Sequence, residues 1–214
     1  MAVTEAQTTR PIPASYKDAP EAYYPVLDCL YRAVRTKNTE ELWEGAGILD
    51  APHFAFEDEM FYLDMLGYAV KDINGDGVPE LLLLYRESFW NPAVPILLSL
   101  YTLHEGRAVR LDSYHNARLA HITEDGTVYV AGRSSAVTTS LESYSLEAGA
   151  AELTQLTEYT RDFSGSKNVY FEGESGGKRK TLSADEYNVM WEKYFHPAKQ
   201  TEIEFVGFFA RLHG

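Results

Sequence analysis

The chain has 214 residues, 45% of them hydrophobic, enough for an ordinary core within one domain. Its 19 basic and 32 acidic residues leave a net charge of −13, which argues against a nucleic-acid backbone or an anionic membrane surface as partner. Cys29 is the single cysteine, so an intrachain disulfide or a cysteine metal cluster is excluded, and no run approaches the ~18 apolar residues of a membrane span.

Residues 1–19 carry Pro11 and Pro13 among small and polar residues and read as a flexible N-terminal tail, with a single α+β domain over 20–214. The start lacks the basic-then-apolar pattern of a signal peptide. Tyr23, Val26, Leu27, Leu30, Tyr31 and Val34 recur at helical spacing and predict a helix over 21–36. Pro25 fits only in a first turn, which places the true start near Tyr24. Cys29 falls close to the apolar side of this helix and reads as a small buried hydrophobe. A second helix is expected over 39–46, capped by Asn38 or Thr39 and with Glu40 and Glu41 in its first turn. Residues 55–64 fit a helix or a strand equally.

From Leu66 the pattern turns to strands and tight turns. Strands are expected at 66–72, 80–86, 95–104, 107–114, 117–123, 127–132, 140–146, 151–157 and 168–173, with a further one through Ile203 and Phe205. Turn pairs Glu105-Gly106, Asp125-Gly126, Ala148-Gly149 and Gly176-Gly177 separate them. Short turns between successive strands imply an antiparallel meander. Gly/Ser-rich stretches at 163–167 and 172–179 read as loops. A late helix over 184–195 is announced by Ser183 and Glu186, a capping box. Its apolar face is Tyr187, Met190, Trp191 and Tyr194. The fold class is therefore N-terminal helices packed on an antiparallel β-meander.

Between the first two strands lies Asp72-Ile73-Asn74-Gly75-Asp76-Gly77-Val78-Pro79-Glu80. Oxygen-bearing side chains at alternate positions can fold inward around one hard cation, and Ca²⁺ accepts six to eight oxygens at about 2.3–2.6 Å in irregular geometry. Counting from Asp72, Gly77 stands sixth, where a calcium loop uses glycine for its sharp turn. The Val78 carbonyl is seventh and Glu80 ninth, while Leu83 holds the twelfth position, where an EF-hand has its bidentate Glu. The competing reading is an acidic turn with no metal, since Asn-Gly and Asp-Gly are strong hairpin signals.

The segments "GYAVKDINGDGVPELLLLY", "LYTLHEGRAVRL" and "ARLAHITEDGTVYVAGRSSA" resemble a group of exported proteins and lipoproteins of Gram-positive gut bacteria that share a strand, a DxNGDGxPEL loop and a strand followed by hairpins. The loop alone is similar to the calcium loops of FG-GAP (integrin-propeller) repeats and, less closely, to dockerin loops. The resemblance implies Ca²⁺ on Asp72, Asn74, Asp76, the Val78 carbonyl and Glu80, and an extracellular or cell-surface address. It implies no catalytic activity. A propeller needs several such loops and this chain has one.

Catalytic motifs are absent: the six histidines are scattered, and no phosphate loop or nucleophile elbow occurs. Phe89 and Trp90, in a polar loop ending at Pro92, are a candidate platform for a glycan or a peptide, against the alternative that both rings fold back on the core. The expected function is an extracellular, calcium-stabilised binding module, monomeric, with a glycan or protein ligand. The alternative is a hydrolase or enzyme accessory domain whose site is assembled from distant residues.

Overall fold

The computed structural model describes residues 15–36, 38–48, 66–85, 95–114, 118–173, 178–195 and 206–207. A 3-10 turn at Glu21–Tyr23 leads into α1 (Tyr24–Thr36), followed by α2 (Thr39–Ala46). Then come strands β1 (Leu66–Lys71), β2 (Glu80–Tyr85), β3 (Ile96–His104), β4 (Arg107–Ser113), β5 (Arg118–Ile122), β6 (Val128–Ser135), β7 (Thr138–Leu146), β8 (Leu153–Asp162), β9 (Val169–Gly173) and β10 (Lys180–Leu182). Helix α3 (Ala184–Phe195) and the short β11 (Val206–Gly207) complete the order. All strands belong to one antiparallel sheet, ordered β10-β9-β8-β7-β6-β5-β3-β2-β1-β11, with β4 paired to β3. The α+β meander is thus as the sequence implies.

The helices form where their chemistry demands. Asn38 caps α2 by accepting a bond from Glu41 N at 3.1 Å. Ser183 and Glu186 form the reciprocal capping box: Ser183 N donates to Glu186 Oε2 at 2.7 Å, and Glu186 N donates to Ser183 Oγ at 3.2 Å. The α1 stripe of Tyr23, Val26, Leu27, Leu30 and Tyr31 is buried.

The run Leu81–Leu84 explains the layering. Side chains alternate along a strand, so Leu81 and Leu83 meet Leu27, Leu30, Leu42 and Tyr68 under the helices. Leu82 and Leu84 point the other way, into a second core with Leu97, Leu100, Ile122, Val128 and Val130. All four are 0% exposed, and burial of each is worth about 2 kcal/mol. A strand covered on both faces reads as continuous apolar sequence rather than alternation. The second core also joins Ala69 of β1 to Leu146 of β7, so the sheet curls until distant strands face one another. A third, smaller core seats Tyr187 of α3 on Ala131, Leu141 and Tyr159.

β3 is shared. Its later half pairs β4 from Ser99 to His104, while Leu97 pairs Ala120 of β5 on the same side. The sheet forks there, with a bulge between Leu100 and Tyr101.

Three differences from expectation bear on the packing. The tail ends sooner: Tyr16 is 3% exposed and its hydroxyl donates to Asp28 Oδ1 at 2.6 Å. Tyr68 donates to Lys17 O at 3.0 Å. Residues 15–19 therefore belong to the domain, anchored by an aromatic ring that the surrounding prolines and polar residues conceal. Secondly, β8 runs to Asp162, five residues beyond the expected 157, because it pairs along the full length of β7. Thirdly, β10 is not among the expected strands; it forms where Lys180–Leu182 pair with the edge of β9. The ambiguous stretch 55–64, the Gly176-Gly177 turn and Ile203 and Phe205 lie outside the described residues.

Candidate functional site

The loop between β1 and β2 sits where three other turns gather. Its own chain folds through side-chain bonds to backbone amides. Asp72 Oδ1 accepts from Gly75 N at 2.8 Å, and Oδ2 from Gly77 N at 2.9 Å. Asn74 Oδ1 accepts from Asp76 N at 3.1 Å, and Asp76 Oδ1 from Val78 N at 2.8 Å. Gly77 has φ of +86°, a conformation that favours glycine.

The loop then reaches outward. Asp76 Oδ2 accepts from Gly149 N at 3.0 Å, and Asn74 Nδ2 donates to Glu147 O at 3.4 Å, both in the β7–β8 turn. His104, at the end of β3, donates from Nδ1 to Gly149 O at 3.1 Å. Gly126, in the β5–β6 turn, lies so close to the Ile73 carbonyl that a Cβ there would be 1.7 Å from the oxygen. The N–H groups of Val78 and Gly149 hold the Asp76 carboxyl below the usual carboxylate range.

Glu80 is placed differently. It is 0% exposed, its Oε2 accepts from Ile73 N at 3.0 Å, and its Oε1 accepts from Thr102 Oγ1 at 3.0 Å. Burial pushes its pKa up, and the charges of Asp76 and Asp72 push in the same direction. Beside it, Tyr23 donates to Pro79 O at 2.9 Å, tying α1's entry to the loop.

Of the expected cation ligands, Asp72, Asn74, Asp76 and Val78 therefore lie on one short loop, while Glu80 faces the interior. Among the described residues, no three His, Cys, Asp or Glu side chains converge as a metal cluster. The donor chemistry fits a hard cation at part of the loop: Asp72 Oδ1, Asp72 Oδ2 and Asp76 Oδ1 each accept one N–H and retain a second lone pair, whereas Asp76 Oδ2 is taken up by Gly149 N and Asn74 Nδ2. Phe89 and Trp90 lie outside the described residues. Cys29 is buried, its thiol is pushed up chiefly by desolvation, and its nearest polar neighbours are Glu41 and Arg32. That is the setting of a packed thiol, not an activated nucleophile.

A second polar group escaped sequence reasoning. Glu142 of β7, 9% exposed, accepts from Ser140 Oγ at 2.6 Å and from Arg118 Nη2 at 2.8 Å, and the Tyr144 hydroxyl also donates to it. Asp112 of β4 and Tyr114 stand within electrostatic reach of Arg118, Glu142 and Tyr144. Desolvation raises the pKa of Asp112. The strand register makes the cluster. Arg118 pairs Gly132, which pairs Ser140, and Glu142 lies two residues beyond Ser140 on the same face of β7. A signal existed in Ser140-Leu141-Glu142-Ser143-Tyr144, where polar residues occupy the face that is apolar further along at Leu146. Asp112 and Arg118 could not be tied to it without the curl of the sheet.

No family model, curated protein or solved structure matches the chain.

Proposed function

We propose that the protein is an extracellular binding module whose 72–80 loop is a Ca²⁺ clamp that fastens the β1–β2 unit to the far hairpins. The observation that carries this reading is the junction itself: Asp76 and Asn74 hold the β7–β8 turn, 73 residues away in sequence. A cation drawn to Asp72, Asn74, Asp76 and the Val78 carbonyl stiffens a node on which several strands depend. It also relieves the repulsion between neighbouring carboxylates. Extracellular modules of this kind bind Ca²⁺ with constants of about 10⁻⁴–10⁻³ M, which suits an extracellular address. Glu80 then acts beneath the clamp, holding the Ile73 amide in place.

Thermal melting in chelator and in millimolar Ca²⁺ tests the clamp. At ten times the dissociation constant the wild type gains about 1.4 kcal/mol by linkage. Mg²⁺ gives less, because it demands a tighter octahedron, and Asp76→Ala gives no gain. Equal melting temperatures in chelator and Ca²⁺, with no heat of binding by calorimetry, reduce the loop to an acidic turn.

The alternative, a hydrolase or enzyme accessory domain, draws on one observation: carboxylates of β4 and β7 share an arginine, Arg118. Turnover of chromogenic glycosides by the wild type, lost in Asp112→Asn, is the result that favours it.

A further inference from the structure

Asn74 is the one asparagine of the chain that glycine follows. That pair carries a reaction of its own. Glycine has no Cβ to keep its backbone nitrogen away from the preceding side chain, and asparagine is among the thermally labile residues. The pair lies at the surface: Gly75 is exposed and Asn74 half-buried, and a Cβ at Gly75 would meet nothing within 4 Å. Room for rearrangement is therefore present, but the bonds around the pair oppose it. Asn74 Oδ1 accepts from Asp76 N at 3.1 Å, and Nδ2 donates to Asp76 Oδ2 at 3.1 Å and to Glu147 O at 3.4 Å. Gly75 N, the atom that would attack, donates to Asp72 Oδ1 at 2.8 Å. Both reacting groups are thus held by other partners while the loop stays docked on the β7–β8 turn.

We propose that Asn74 is a deamidation site, restrained by the docked β7–β8 turn, whose conversion unfastens that turn. The reactant besides the chain is water. Gly75 N loses its proton to solvent base and bonds to Asn74 Cγ. The Cγ–Nδ2 bond breaks, and Nδ2 takes up a proton and leaves as ammonia. Water then opens the cyclic imide at either carbonyl, leaving aspartate or isoaspartate, with no net oxidation or reduction. Either product puts an acceptor where a donor stood. A carboxylate at position 74 faces Asp76 Oδ2 and the Glu147 carbonyl, so two attractive contacts become repulsive. Isoaspartate also routes the backbone through the former side chain and lengthens the loop. Gly149 N donates to the same Asp76 oxygen that Asn74 Nδ2 meets, so a displaced Asp76 carboxylate loosens the turn at Gly149 as well as at Glu147.

The test uses the full chain in chelator, so that its outcome does not depend on the calcium clamp. Wild type is aged in warm, mildly alkaline buffer, both folded and in urea, beside Asp76→Ala, which removes the carboxylate shared by the loop and the turn. Ammonia release gives the rate, and peptide mapping by mass spectrometry gives the position. Conversion is expected at Asn74 ahead of every other asparagine, about tenfold or more faster in urea and in Asp76→Ala than in folded wild type. Asp76-Gly77 and Asp125-Gly126 can form the same kind of imide but release no ammonia. Asn74→Asp, prepared directly, stands for the aspartate product. Amide exchange at Gly149 is expected to quicken about tenfold or more in it, with the middle of β3 unchanged. The proposal is overturned if another asparagine converts first, or if urea or Asp76→Ala leaves the rate at its folded wild-type value. It is also overturned if Asn74→Asp exchanges at Gly149 as slowly as wild type, since conversion would then leave the turn fastened.

Discussion

The backbone N–H of Gly149 donates to the carboxylate of Asp76 at 3.0 Å, joining the turn after β7 to the loop after β1 across 73 residues of chain. The same carboxylate accepts from Val78 N at 2.8 Å, so one side chain fixes both its own loop and a remote hairpin. Asp76→Ala is expected to speed amide exchange at Gly149 and Val78 about tenfold or more while leaving the middle of β7 unchanged. Because the folded pKa of Asp76 is lowered, its contribution is present above the ordinary value of 3.8 and is lost as pH falls through the folded value. Acid titration of stability in wild type and Asp76→Asn checks this: the variant lacks that part of the acid loss.

Gly126 and Gly77 both have positive φ, +82° and +86°. They differ in surroundings, since a Cβ at Gly77 meets nothing within 4 Å and one at Gly126 collides with the Ile73 carbonyl. Gly77→Ala should cost about 1–2 kcal/mol, the strain of a left-handed residue. Gly126→Ala should cost that plus a further 1–3 kcal/mol of overpacking, roughly. Paired urea titrations measure the difference, and equal losses mean that the β5–β6 turn does not bear on the loop.

Glu80 is buried with a raised pKa, so its favourable contribution is complete below the ordinary value of 4.5 and is lost as pH rises through the folded value. Glu80→Gln keeps an acceptor for Ile73 N and can donate to Thr102, and it should match or exceed wild-type stability at neutral pH and lose that advantage near pH 4. Glu80→Ala strands both partners and should cost about 1–3 kcal/mol at any pH. Melting curves of the three proteins between pH 4 and 8 decide it, and a Gln variant as unstable as the Ala variant shows that the charge itself is required.

Tyr16 packs edge-on against Tyr24 and Tyr68, with ring centroids 5.2 and 6.0 Å away. Deleting residues 1–14 should leave the melting temperature unchanged, whereas deleting 1–19 removes this anchor. Tyr16→Ala is expected to cost about 3 kcal/mol, or roughly 6–12 °C for a chain of this size. Identical melting of the two truncated proteins means that Tyr16 is a bystander.

Local chemistry was legible in the sequence. The α1 stripe, the Ser183–Glu186 box and the strand boundaries around the glycine turns are written in neighbouring residues, and the structure places them within a residue or two. Four consecutive leucines announced a buried strand, since a strand covered on both sides has no polar face. The partners of the 72–80 loop were hidden, because Gly149 and Gly126 read only as hairpin turns until the sheet curls and carries them to it. Glu80 was misleading for the same reason. Its spacing places it in the loop, but residue alternation along β2 turns its carboxylate inward, opposite in direction to Leu81. The Asp112–Arg118–Glu142 group depends on register across several strands, and a single chain of letters carries no register.

β1 has one neighbour close by in sequence, β2, and another that comes from the far end of the described chain: Gly67 pairs Gly207 and Tyr68 pairs Val206. Apart from β3 with β5, the other pairings join consecutive strands. Hairpins can therefore zip as the chain leaves the ribosome, each soon after its second strand emerges. The open edge of β1 must wait for residues 206 and 207, well over a hundred positions later. During that wait the edge offers unpaired backbone to any other strand in reach, so the nascent chain is most exposed to misassembly at its first strand.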